Sequence, residues 1–241
     1  MIELGDVFGI AASVPKHTYV DRDGLDQKFT YLLKQHRHLV IHGASKQGKT
    51  ILRKKNLSED ECFIVQCGAN SSRNQIYIEI LRQIGSQIPT EISRAFTVSG
   101  ELQSKASGKS AIPWVGSGEL GIEAKVSIEK EVETVLKPIG IDPSSLGYIS
   151  EEIKKSNKKI VIEDFHYLPE QEKINLAFDL KAFWDSQVFF IIIGIWADQN
   201  LLTYYNGDLS GRIEEIDIRW SIEELEQVIQ KGTEILNIEF E

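Results

Sequence analysis

Five short apolar runs recur along the chain, each followed by a segment with helical spacing. Leu39-Val40-Ile41, Cys62 to Cys67, Ile160 to Asp164, Val188 to Ile195 and Ile213 to Ile218 are read as strands. Val188 to Ile195 shows no in–out alternation, the pattern of a parallel strand buried on both faces. Ile213-Glu214-Glu215-Ile216-Asp217-Ile218 is shorter and more edge-like. The intervening segments predict helices. The first is capped by Asp21 or Asp23 and carries Leu25, Phe29, Leu32 and Leu33 on one face. A second opens at Thr50. A third, Asn74 to Ile88, repeats Ile76, Tyr77, Ile80, Leu81, Ile84 and Ile88 at three-to-four spacing and ends at Pro89. Pro143 to Lys155 follows, then Glu170 to Trp184 with Leu176, Ala177, Leu180 and Phe183 inward. The last, Ser221 to Gly232, opens on the capping box Ser221-Ile222-Glu223-Glu224. Strand and helix alternating in this way predict an α/β fold. It is one domain over 1–241, with a parallel five-stranded sheet and helices on both faces.

Two segments fall outside that rhythm. Residues 1–20 read as a lead-in, extended over Val14 to Val20 because Pro15 disfavours helix before it. Residues 90–137 are rich in Gly, Ser and Lys and alternate with a period of two. Phe96, Val98 and Leu102 share one parity, and Leu120, Ile122, Ala124, Val126 and Ile128 share another. That predicts an inserted β-ribbon with a flexible tip around Ser104 to Ser117; an irregular surface insertion is the other reading.

The chemistry starts where the first strand ends. His38 to Thr50 fits the phosphate-loop pattern G-x-x-x-x-G-K-[ST], comprising Gly43, Ala44, Ser45, Lys46, Gln47, Gly48, Lys49 and Thr50. Glycines let main-chain N–H groups turn inward around an anion. Lys49 supplies a cation for phosphate oxygens, and the Thr50 hydroxyl can hold Mg²⁺. A strand before the loop and a helix after it give the motif the context it needs, with the helix N-terminus facing the anion. The strand Ile160-Val161-Ile162-Glu163-Asp164 ends in two carboxylates. At the carboxyl end of a buried strand they fall in the crevice where α/β sheets bind ligands. One can reach Mg²⁺ beside Thr50 and the other can orient a water, so Thr50, Glu163 and Asp164 are the metal candidates, and Glu163 and Asp164 the catalytic ones.

Composition narrows the function classes. The chain of 241 residues is 41% hydrophobic and 26% charged, ordinary for a soluble protein. Its longest apolar run is too short to span a bilayer, and the N-terminus lacks the basic and apolar blocks of a secretory signal. Cys62 and Cys67, on opposite faces of one strand, cannot bridge each other and read as reduced thiols of a cytoplasmic protein. The net charge of −9 is uneven: 15 Lys/Arg against 12 Asp/Glu over residues 1–120, then 12 against 24. Such acidity does not favour a dedicated nucleic-acid binder, although Lys105, Lys109, Lys125 and Lys130 on the ribbon leave a local basic stripe open. No Cys/His cluster has zinc spacing.

Taken with Tyr19-Val20-Asp21-Arg22, Asp208-Leu209-Ser210-Gly211-Arg212-Ile213 and Ile218 to Leu225, these motifs resemble the core of AAA+-type P-loop ATPases, and among them origin-recognition-like and STAND (signal-transducing) NTPases. The resemblance implies ATP and Mg²⁺ as ligands, with Tyr19 and Val20 approaching the adenine. It puts Glu163 at the Mg²⁺-side acid and Asp164 at the water-activating acid. It also puts Arg212 where such proteins reach a neighbouring subunit's γ-phosphate; a surface ion pair is the competing reading of Arg212. It therefore implies a homo-oligomer or a partner subunit, and no membrane. Three departures stand out. The acids run Glu-Asp rather than Asp-Glu, which leaves their roles exchangeable and hydrolysis slow. Asp198 and Asn200 are the only sensor candidates after the fourth strand. The helical lid is absent or minimal before Glu241. A nucleotide-dependent switch or slow ATPase in an assembly is the leading expectation. A DNA-loading or transposition-helper ATPase and a non-hydrolysing ATP-binding sensor subunit of a signalling or defence system are the alternatives.

Overall fold

The computed structural model describes residues 2, 4–8, 13–86, 145–197 and 200–238. In chain order these form α1 (Leu4–Phe8), α2 (Leu25–Leu32), β1 (His38–His42), α3 (Lys49–Asn56), β2 (Cys62–Gln66) and α4 (Arg73–Ile84). After residue 144 come α5 (Leu146–Ser156), β3 (Lys159–Glu163), α6 (Glu170–Asp185), β4 (Phe190–Ile193), α7 (Leu201–Tyr205), β5 (Ile213–Asp217) and α8 (Ile222–Leu236). The strands build one five-stranded sheet in the order β2-β3-β4-β1-β5, and each neighbouring pair is parallel.

Alternation along the strands divides the core into two layers. Val40, Ile160, Ile162, Phe190 and Ile192 face Ile76, Ile80, Leu81, Ile149, Leu176, Leu180 and Phe183 of α4, α5 and α6. Leu39, Ile41, Val161, Ile191, Ile193 and Ile216 face Phe29, Leu32 and Leu52 of α2 and α3. Each such aliphatic side chain, fully withdrawn from water, contributes about 1.5–3 kcal/mol. Cys62 joins the second layer and Cys67 the first; both are free thiols, as their opposite parity requires. The register sets Val40 beside Ile192 and Ile192 beside Ile162, so β1, β4 and β3 finish at one edge of the sheet.

Several boundaries differ from the periodicity. α4 stops at Ile84 because Gly85 turns left-handed (φ 84°) and Ser86 N–H closes onto the Leu81 carbonyl. α8 instead runs through Gly232 to Leu236, since the ring of Phe8 lies where a Cβ at 232 would be, 2.1 Å from it. That glycine serves a contact, not a cap. Within the lead-in over residues 1–20, residues 4–8 are helical. α2 is preceded by Gly24 in a left-handed conformation, and the Asp21 carboxylate accepts from the Asp26 N–H in its first turn. β4 is shorter than Val188 to Ile195, although the Gly194 N–H still donates to the Ile41 carbonyl. Ile88, Pro89, the ribbon over 90–137 with its lysines, and Asp198 lie outside the described residues.

Candidate functional site

β1 delivers the chain into a loop that only glycine can open. Gly43 has φ 137°, and a Cβ there would stand 2.4 Å from the Ile218 carbonyl oxygen of the neighbouring strand's exit. Lys46 and Gly48 are also left-handed, at φ 63° and 82°, so the backbone winds back on itself before α3 begins. Lys49 is only 8% exposed. Its Nζ donates to the Gly43 carbonyl at 3.0 Å and the Ala44 carbonyl at 2.6 Å. Burial lowers the ammonium pKa, against the opposing pull of Asp164. Thr50 follows in the first turn of α3, half-buried.

The two acids at the end of β3 diverge. Glu163 turns onto α3, where its Oε1 accepts from Arg53 Nε at 3.2 Å and Nη2 at 3.0 Å. Arg53 is 2% exposed, making this a nearly dry ion pair. Asp164 leaves the strand in a left-handed conformation (φ 56°), and its carboxylate accepts from Gln66 Nε2 on β2 at 2.8 Å. The field of Asp164 reaches Lys49, His166 and the Cys67 thiol; burial, reinforced by that charge, pushes Cys67 up to about 12. Asp164 thus belongs electrostatically to the loop, while Glu163 belongs to Arg53.

The remaining expected residues occupy two other places. Tyr19 donates its hydroxyl to Asp26 at 2.5 Å, its carbonyl accepts from Lys231 Nζ at 2.8 Å, and Val20 is buried. Burial, with Asp26 beside it, raises the Tyr19 phenol. Arg212 sits at the far end of β1. Its carbonyl accepts from His38 N–H, its guanidinium donates to the Asp208 carbonyl, and the group stacks 4.6 Å from the Trp184 ring. The phosphate loop leaves from His42, roughly 13 Å along the strand at about 3.3 Å per residue. Arg212 therefore does not serve its own loop. Asn200 donates its N–H to Glu215.

Sequence reasoning assigned no role to three further groups. Arg22, 7% exposed, donates to the Gln47 carbonyl at 2.7 Å and lies 4.3 Å over Trp220; its signal was an arginine beside Asp21 on the segment leading to the loop. Gln66 is the β2 neighbour of Glu163 in register. His42 is fully buried directly before Gly43, stacked on Trp196, with Glu215 at 3.6 Å and Asp217 at 3.9 Å. Burial lowers its pKa, but the two carboxylates outweigh that and leave it raised.

The donors present suit Mg²⁺. Thr50 and the β3 acids offer hard oxygens, and this ion is held by one or two carboxylates with substrate phosphates rather than by a protein cage. Among the described residues, no group of three His, Cys, Asp or Glu side chains could hold a metal alone. None of the described helices is long and apolar enough to cross a membrane.

No family model matches the sequence, and no curated protein matches it. Solved structures similar to this chain include the Walker-type ATPase of Pyrococcus abyssi (16% identity, TM-score 0.49), Cdc6p from Pyrobaculum aerophilum (14%, 0.48) and the Aeropyrum pernix ORC1 protein in complex with DNA (10%, 0.46). The matches take in 98%, 96% and 97% of this chain but 64%, 53% and 53% of theirs, so the chain spans between half and two thirds of their length. The parallel β2-β3-β4-β1-β5 sheet, the glycine-opened loop after β1 and the acidic end of β3 give the chain an α/β P-loop NTPase fold.

Proposed function

We propose that this chain binds ATP with Mg²⁺ and works as a nucleotide-dependent switch or slow ATPase within an assembly. The observation that carries the reading is the buried Lys49 held inside a loop opened by three left-handed residues. Main-chain N–H groups of residues 44–49 take the phosphates, and Lys49 exchanges the Gly43 and Ala44 carbonyls for phosphate oxygens. Thr50 and Asp164 hold the Mg²⁺, which neutralises charge on the phosphates when bound. Asp164 also orients the attacking water, and Glu163 keeps Arg53 paired beneath the site. Tyr19 and Val20 approach the base, and Arg212 reaches the nucleotide of a neighbouring subunit, in a homo-oligomer or beside a partner protein. ATP affinity of Lys49→Ala against wild type tests this. Losing a charge-assisted contact of about 1.5–3 kcal/mol weakens binding roughly 10- to 100-fold; unchanged affinity removes the reading.

A non-hydrolysing ATP sensor is the second reading, and Asp164 favours it. Its carboxylate is engaged by Gln66 and its backbone is left-handed, so water activation needs the Gln66 bond to open. Stoichiometric ATP with no phosphate release, alone or with a partner, selects the sensor; faster release by Gln66→Ala selects the ATPase.

A further inference from the structure

Arg22 is a buried cation with no acid in hydrogen-bond contact among the described residues. It reaches a main-chain carbonyl of the phosphate loop on one side and an indole on the other. Burial lowers its pKa, and the nearby charges of Glu224, Asp26 and Asp21 work against that. In a trans peptide the carbonyl of one residue and the N–H of the next point in opposite directions. By holding the Gln47 carbonyl outward, Arg22 turns the Gly48 N–H the other way, and a Cβ at Gly48 would lie 3.4 Å from the guanidinium. Trp220, whose ring lies 4.3 Å from the guanidinium, directly precedes Ser221, the N-cap of α8, and Glu224 completes that capping box. α8 also meets the same N-terminal segment through Lys231, on the Tyr19 carbonyl, and Gly232, against Phe8.

We propose that Arg22 is a positioning residue that couples the phosphate loop to α8. With Trp220 and Glu224 docked, the guanidinium is held in place and the Gly48 amide is set for an anion. With α8 displaced, the guanidinium loses its stacking partner and that amide is freed to turn. Coupling of this kind is reciprocal: phosphate in the loop must tighten the docking of α8 by the same factor that docking tightens phosphate binding. The inference rests on the ATP reading above and adds to it the route by which occupancy leaves the site.

The test measures two quantities on wild type, Arg22→Ala and Trp220→Ala: ATP–Mg²⁺ affinity by calorimetry, and amide exchange over residues 222–236 with and without ATP. Trp220→Ala removes the stacking partner while leaving Arg22 and every loop residue unchanged in sequence, so it keeps the test readable if Arg22→Ala folds poorly. In wild type, ATP is expected to slow exchange in α8. Trp220→Ala is expected to bind ATP about 5- to 150-fold more weakly, the usual range of such coupling, and to lose the α8 response. ATP binding in wild type with no α8 response, or wild-type affinity in Trp220→Ala, overturns the coupling alone. No ATP binding in wild type overturns the nucleotide reading and the coupling together.

Discussion

At the residue scale, two buried groups give opposing signs that experiment can separate. His38 accepts the Phe190 N–H at Nδ1 and presents Nε2 to the Leu180 carbonyl, so the fold selects its neutral Nε2–H form. Burial pulls its pKa from 6.5 to about 4. The unfolded chain therefore binds a proton that the native state refuses as pH falls from 6.5 towards 4, and stability drops across that window by about 3 kcal/mol. Urea unfolding at pH 7 and pH 4.5 is expected to show the loss in wild type and much less of it in His38→Gln. His42 runs the other way, its contribution being complete below pH 6.5 and lost as pH climbs through its raised folded value. The Arg53–Glu163 pair yields a second prediction. Glu163→Ala leaves a buried guanidinium, whose Nη1 already lacks a partner, without its counter-charge. The expected loss is about 3–5 kcal/mol, and Arg53→Met with Glu163→Leu recovers most of it. A fall in Mg²⁺–ATP affinity with little loss of stability would instead make Glu163 the metal acid.

At the element scale, the contact between α1 and α8 joins a five-residue helix to the body, and it opens at one position. Gly232→Ala puts a methyl into the Phe8 ring. By helix propensity alone that change favours α8 by about 1 kcal/mol, and α1 is five residues long with Leu4 63% exposed. The expected result is faster amide exchange in residues 4–8 while the global unfolding midpoint shifts by less than the equivalent of about 1 kcal/mol. A large global loss would make α1 part of the cooperative core. This joint also marks where the sequence stopped being legible. The strands were readable because Val40, Ile162 and Ile192 belong to runs that nothing but a doubly covered sheet can bury. The phosphate loop was readable because Gly43, Gly48, Lys49 and Thr50 sit at fixed spacing. The periodicity ends the last helix at Gly232, but one glycine has two uses, a left-handed cap or a close approach, and only the ring of Phe8, 224 positions away, decides between them. The same holds for Glu163 and Asp164. Adjacent in sequence, they part only because Arg53 on α3 claims one and Gln66 on β2 holds the other.

At the scale of the whole molecule, the sheet separates two cationic sites by the length of a strand. Lys49 lies past the carboxyl end of β1, and Arg212 sits at its amino end, its backbone paired with His38 and its guanidinium laid on Trp184. A rigid parallel sheet gives the two no way to meet on one nucleotide, so a catalytic part for Arg212 requires a second subunit whose loop faces that edge. The alternative is local: its bond to the Asp208 carbonyl and its stack on Trp184 are packing, and the long carbon stem covers the indole. The two roles separate on mixing. Lys49→Ala subunits lack the cation for phosphate but keep Arg212, and Arg212→Ala subunits keep a whole loop. In an assembly with sites between subunits, mixed particles contain some junctions where an intact loop meets an intact Arg212. Each variant alone is expected to release phosphate slowly or not at all, and an equimolar mixture, under conditions where both assemble, to recover up to about a quarter of the wild-type rate. One in four junctions is then intact if mixing is random. A mixture no faster than its parts, with solution mass showing mixed particles, assigns Arg212 to the Trp184 contact and leaves the loop to work with its own subunit's residues.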